Sequence, residues 1–160
     1  YTPLKRVSSI AVFIGAFPGA IPPLLGWVAA TGEFSQVAGI LFLIQFVWQF
    51  PHFWAIAWIL DDDYKKAGYR LLPFKSGRSK SSAMLTIIST LVLCAIGLVP
   101  YFIGMCNLIG LSVITISSLA LTYLSIKLYK SLDIKDAKSL MFASIIYNPL
   151  VLIVLLLDKI

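Results

Sequence analysis

Five stretches of the chain, at about 9–31, 37–60, 82–104, 107–127 and 139–157, run for some twenty residues each with almost no charge. That pattern leaves few folds open. A bilayer core takes about 20 apolar residues per helix, and within it every backbone N–H and C=O must find a partner inside the protein. Spanning helices meet that condition. A closed barrel would also meet it, but the alternation of apolar and polar residues that a barrel strand needs is absent. The 160 residues are 59% hydrophobic and only 12% charged, with a mean hydropathy of +0.92. A soluble domain of this length cannot cover its surface with so few charges. The sequence therefore predicts an all-α, polytopic membrane bundle of five transmembrane helices, with 1–160 forming part of a single transmembrane domain. It starts at Tyr1 rather than Met, and no charged leader with a cleavage site precedes the first apolar run, so it reads as part of a longer protein.

With five spans the connections fall alternately on two sides. The side of the amino-terminal tail carries Lys5, Arg6, Lys65, Lys66, Arg70, Lys75, Arg78, Lys80, Lys127, Lys130, Lys135 and Lys138, twelve of the thirteen basic residues. The other side holds Lys159 alone. Basic residues collect on the cytoplasmic side of membrane proteins, so the tail, the 61–81 loop and the last connection are expected to be cytoplasmic. The net charge of +6 follows from that topology beside anionic headgroups, and no nucleic-acid partner is needed to explain it. Cys94 and Cys106 show no metal-ligand spacing and read as ordinary apolar-phase residues.

Polar features inside the spans point to chemistry. The first span, IGAFPGAIPPLLGW, holds Gly15, Gly19 and Gly26 with Pro18, Pro22 and Pro23. Gly15 and Gly19 would allow close helix packing, and a broken helix would line a cavity; the two readings are compatible. In the second span Gln45, Gln49, His52, Ile56, Ile59 and Asp63 share one helical stripe, which should face the bundle interior because polar groups are costly in lipid. The glutamines read equally well as interhelical hydrogen-bond glue, and His52 as a buried histidine with a structural partner. Pro51, one residue earlier, is expected to kink the helix where His52 projects. At the end of this span stand Asp61, Asp62 and Asp63, followed by Lys65, Lys66 and Arg70. A solvated helix end would mix its signs. Carboxylates with bases beside them suit Mg²⁺ bound to phosphate oxygens, since magnesium takes one or two carboxylates plus substrate phosphates. A ligand with a phosphate head at the membrane surface and a greasy body in the bundle fits both features, and isoprenyl diphosphates are such molecules.

YTPLKR at 1–6, GAFPGAIPPLLGW at 15–27, WQFPHFWAIAW at 48–58 and DDDYKKAG followed by LLP at 61–73 resemble the protoheme IX farnesyltransferase (heme O synthase) branch of the UbiA superfamily of intramembrane prenyltransferases. The motifs fall in the first half of the chain; the last three spans match in hydropathy and helix number. The resemblance implies a fold of nine helices around a cavity open to the cytoplasm, of which this chain looks like helices five to nine, its carboxy-terminal part. It also implies two Asp-rich loops that bind Mg²⁺ and diphosphate. DDDY would be the second, with Asp63 and Tyr64 the best-matched pair and Asp62 next; many relatives carry Arg where Asp61 stands. The first Asp-rich motif is not in this sequence, so these residues alone are expected to be inactive.

The activity implied is transfer of a farnesyl group from farnesyl diphosphate to a vinyl group of heme b, giving heme o for terminal oxidases. Asp63, Asp62 and Asp61 would hold Mg²⁺, with Lys5, Arg6, Lys65 and Lys66 as candidates to touch phosphate. Tyr64, Gln49 and Gln45 would face substrate. His52 would serve the heme, as iron ligand, hydrogen-bond partner or proton carrier. Trp48, Phe53 and Trp58 are candidates to stabilise an allylic cation. Membrane lipid, and heme a synthase or the oxidase assembly machinery, are the partners implied, and the bacterial plasma membrane the location. Two rivals stand beside this reading. One is a related prenyltransferase acting on a quinone or chlorophyll precursor, which the WQFPHFW segment disfavours. The other is a transporter bundle, which does not call for DDDY among bases on a cytoplasmic loop.

Overall fold

The computed structural model describes residues 10–74 and 76–158. Among the described residues six helices follow one another: α1 (Ile10–Thr31), α2 (Gln36–Ile59), α3 (Asp61–Lys66), α4 (Lys80–Phe102), α5 (Leu108–Ser131) and α6 (Ile134–Leu157). All but the short α3 are long and apolar enough to cross a membrane. Helix α2 packs on α4, α4 on α5, α5 on α6 and α6 back on α2, while α1 packs on α2 beside this ring of four.

Small and hydroxyl side chains let the ring close tightly. A Cβ at Gly97 of α4 would come within 2.8 Å of Ile114 Cγ2 on α5, and Ser118 and Tyr147 lie just beyond. Buried hydroxyls bond mostly within their own helix: Ser118 donates to the Ile114 carbonyl (2.8 Å), Thr122 to Ser118 (3.0 Å) and Ser125 to Leu121 (2.9 Å). Paired in this way, they add packing without leaving an unsatisfied group in an apolar phase. Ser118 also meets the Tyr147 hydroxyl at 3.1 Å, tying α5 to α6.

Helix ends are capped near the expected bilayer boundaries. Asn107 accepts from the amides of Ile109 and Gly110 at the start of α5, Asp133 from Lys135 at the start of α6, and Ser79 from Ser82 at the start of α4. The charged run 127–138, expected as a connection, is helical on both sides of a two-residue turn. Leu132 takes a left-handed conformation (φ 56°) there, and Lys127 pairs with the buried Asp136 at 3.0 Å across it. Helices α5 and α6 thus project beyond the apolar stretch, because lysine, leucine and alanine remain good helix formers outside lipid. Helix α1 is continuous through Pro18, Pro22 and Pro23, and α2 through Pro51. The first span is therefore an unbroken helix: Gly19 packs closely against Gln49, while Val12 and Gly15 line a cavity.

Candidate functional site

The polar stripe of α2 lies between α1 and α6, and it is bonded to both. Gln49, buried, donates its amide to the carbonyls of Ala16 (3.0 Å) and Gln45 (3.1 Å). It reaches α1 because Gly19 has no side chain; a Cβ there would overlap Gln49 Oε1. Gln45 has a buried side-chain oxygen with no partner among the described residues.

His52 faces α6. Its Nδ1 lies 2.8 Å from Ser144 Oγ, its ring stacks on Trp48 at 4.9 Å, and Trp48 donates its indole N–H to the Ser144 carbonyl at 2.7 Å. Ser144 Oγ is also 2.6 Å from the Met141 carbonyl. A hydroxyl has one proton, and a carbonyl can only accept, so that proton goes to Met141. Nδ1 must then be the protonated nitrogen, which leaves the lone pair of the neutral ring on Nε2. The structural partner that the sequence allowed for His52 exists, and it orients the ring without using Nε2.

Beyond Ile59 the chain breaks at Leu60 (φ −97°, ψ 12°) and restarts as α3. The acidic run is therefore a separate helical turn rather than the tail of the second span. It ends at Gly68 (φ 75°), whose amide bonds to Lys65 while that of Tyr69 bonds to Tyr64, a pattern that terminates a helix on a left-handed glycine. The glycine of DDDYKKAG is thereby explained.

The three aspartates do not share a direction. At 100° per residue, Asp61, Lys65 and Asp62 lie on one side of α3, Asp63 on the other and Tyr64 between. Asp61 is buried and pairs with Lys65 at 2.6 Å; Asp62 pairs with Arg78 at 3.0 Å. Asp63 has a side chain 73% exposed and only a 3.6 Å approach to Lys66. Among the described residues no three His, Cys, Asp or Glu side chains converge on a point that would hold a metal by themselves. One carboxylate plus phosphate oxygens is a mode magnesium accepts, and Asp63, the most exposed of the three and the most loosely paired, is the one best able to supply it. Lys5 and Arg6 lie outside the described residues.

Tyr64 roofs a cavity of about 190 Å³ between α1, α2 and the loop, lined also by Val12, Gly15, Phe53, Ile56, Ala57 and Leu71. A larger apolar cavity of about 460 Å³ involves Val47, Phe50 and Trp54, on the face of α2 opposite the polar stripe. The smaller cavity is the one beside the acidic turn. Sequence reasoning missed Ser144, 92 positions from His52, for which no local signal exists, and Arg78 and Gly77, whose sign was a glycine–arginine pair inside a serine-rich loop.

A model of the UbiA prenyltransferase family matches residues 1–146. Protoheme IX farnesyltransferase of Cytophaga hutchinsonii is 52% identical over 160 residues, which cover 100% of this chain and 56% of the relative. The protein of the same name from Flavobacterium psychrophilum is also 52% identical, over 99% of this chain and 54% of its own length. That from Koribacter versatilis is 38% identical over 99% and 54%. The chain thus spans about half the length of the curated relatives it matches. No solved structure matches it significantly.

Proposed function

Because the chain belongs to the UbiA prenyltransferase family, we propose that it forms the carboxy-terminal five-span part of a membrane enzyme that farnesylates heme b to heme o. The observation that carries the reading is an exposed carboxylate, Asp63, held only by a 3.6 Å approach to Lys66 and next in the chain to Tyr64, which lines a largely apolar cavity. That arrangement suits a substrate with a diphosphate head and a hydrocarbon tail. The cavity is below the roughly 300–1,000 Å³ of a typical small-molecule site, so it takes part of a prenyl chain and not a heme. The rest of the wall, with the first Asp-rich motif, would come from the other half of the full-length protein, and these residues alone would be inactive.

The diphosphate would meet Asp63 through Mg²⁺, with Lys66, and the lysine and arginine of the amino-terminal tail, beside it. Magnesium supplies charge neutralisation at the leaving group. As the bond from the allylic carbon to oxygen breaks, both electrons leave with the diphosphate. The cation left behind is attacked by the vinyl carbons of heme b. Phe53 and Ile56, on the cavity wall, keep water from it. The terminal vinyl carbon takes the farnesyl group, and the new cation beside the porphyrin is captured by one water molecule, which then loses a proton to leave the hydroxyl of heme o. Nε2 of His52 carries the lone pair suited to accept that proton, or to bind the heme iron. The loops of the basic end would face the cytoplasm, in a bacterial plasma membrane.

The test is to incubate membranes holding the full-length protein with heme b, farnesyl diphosphate and Mg²⁺ and to follow heme o by mass. Heme o formation supports the proposal. Prenylation of a quinone precursor instead would move the protein to another branch of the family.

A further inference from the structure

The segment between α3 and α4 does more than connect them. Arg78, with a side chain only 22% exposed, donates from Nε to the Trp58 carbonyl (2.7 Å), from Nη2 to the Ile59 carbonyl (3.2 Å) and from Nη1 to Asp62 (3.0 Å). The two carbonyls are among the last of α2, which no intrahelical amide satisfies, so a cation is favoured there. One planar group thereby bridges the end of α2 and the first turn of α3 across the Leu60 break.

Gly77 holds the arginine in place. It has a φ of 68°, and a Cβ on it would stand 3.0 Å from Lys65 Nζ and 3.1 Å from Asp61 Oδ2. Its carbonyl accepts from Ser82 Oγ at 2.8 Å, which fixes the loop to the first turn of α4. Gly77 and Arg78 thus close over the Asp61–Lys65–Asp62 side of α3. The helix cannot roll without breaking these contacts, and Asp63 and Tyr64 are left on the remaining sides.

We propose that Arg78 is a positioning residue for the proposed prenyl-diphosphate site: by engaging Asp62 and the end of α2, it commits Asp61 and Asp62 to structure and presents Asp63 as the carboxylate that meets the diphosphate. The inference rests on the function proposed above. It assigns the three aspartates unequal tasks, two as anchors and one as ligand.

The experiment uses the full-length protein and reads two quantities. One is the rise in thermal midpoint produced by Mg²⁺ with inorganic pyrophosphate; the other is kcat and KM for farnesyl diphosphate. Arg78→Gln is expected to weaken pyrophosphate binding and raise KM by about 10- to 100-fold, the range seen when a residue supporting a metal ligand is removed. Its midpoint without ligand should fall, and the rise on adding ligand is read from that lower baseline. Asp62→Ala, which removes one of the three Arg78 bonds, should show the same defect in smaller measure, and the double variant should be no worse than Arg78→Gln alone, because the Asp62 contact is already lost there. Arg78→Lys, which keeps the charge but not the fork, should fall between and serves if the glutamine variant does not fold. Unchanged binding and KM in both Arg78 variants would overturn the positioning role while leaving the transferase standing. So would an Asp62→Ala defect as complete as that of Asp63→Ala, which would make Asp62 a ligand. A parent protein that binds no Mg²⁺–pyrophosphate would overturn the proposed function and this inference with it.

Discussion

Single residues here are defined by what already occupies their atoms. His52 illustrates this: Ser144 takes Nδ1 and Trp48 takes one ring face, so Nε2 is what is left for chemistry. If His52 acts through Nε2, Ser144→Ala should retain most heme o formation, whereas His52→Ala should lose about 100-fold or more, the scale of a general acid–base contribution. Equal, mild losses in the two variants would reduce the histidine to a strut between α2 and α6. Gly19 makes a second case. Gly19→Ala would press on Gln49 and should cost about 1–3 kcal/mol of stability, as overpacking does; a Gln49→Ala change in the same protein should recover much of it, measured by thermal unfolding in detergent. The sequence put Gln49 and His52 on one inward stripe from periodicity alone. Their partners, Ala16 and Ser144, stand on other helices at distances along the chain that no periodicity encodes.

Elements were legible to different degrees. The spans could be read because hydropathy measures the bilayer itself, and a run of about 20 apolar residues has few alternatives. Their ends could not, since a helix of lysine, leucine and alanine continues past the lipid; only the left-handed Leu132 and the Asp133 cap stop α5 and start α6. Nor was α3 visible as a separate turn, because its break at Leu60 is held by Arg78, eighteen positions further on, through carbonyls rather than side-chain pattern. The packing of α4, α5 and α6 gives a test at this scale. Gly97→Ala should loosen the bundle through its 2.8 Å approach to Ile114, and Ile114→Ala combined with it should be less harmful than the sum of the two. Strict additivity in unfolding measurements would mean that the two helices do not meet there.

The molecule as a whole combines a closed ring of four helices with one helix, α1, resting on its side, and the polar stripe lies in the angle between α1 and α6. Basic residues of the described chain gather at the end that carries α3, so single cysteines placed at 66 and 130 should react with an impermeant thiol reagent from the opposite membrane side to one placed at 34. Labelling of all three from one side would contradict the five-span topology. The central claim joins that topology to chemistry: the exposed carboxylate of Asp63, on the short helix that follows a membrane span, is proposed to serve diphosphate departure. The most direct measurement compares farnesyl transfer to heme b by full-length Asp63→Asn and Asp61→Asn proteins, after matching their folded amounts. The account predicts that Asp63→Asn loses at least about 100-fold in kcat/KM while Asp61→Asn keeps most of its rate, because removing a group that stabilises only the transition state costs on that order. Equal retention of turnover by both variants, or loss confined to Asp61→Asn, would contradict it.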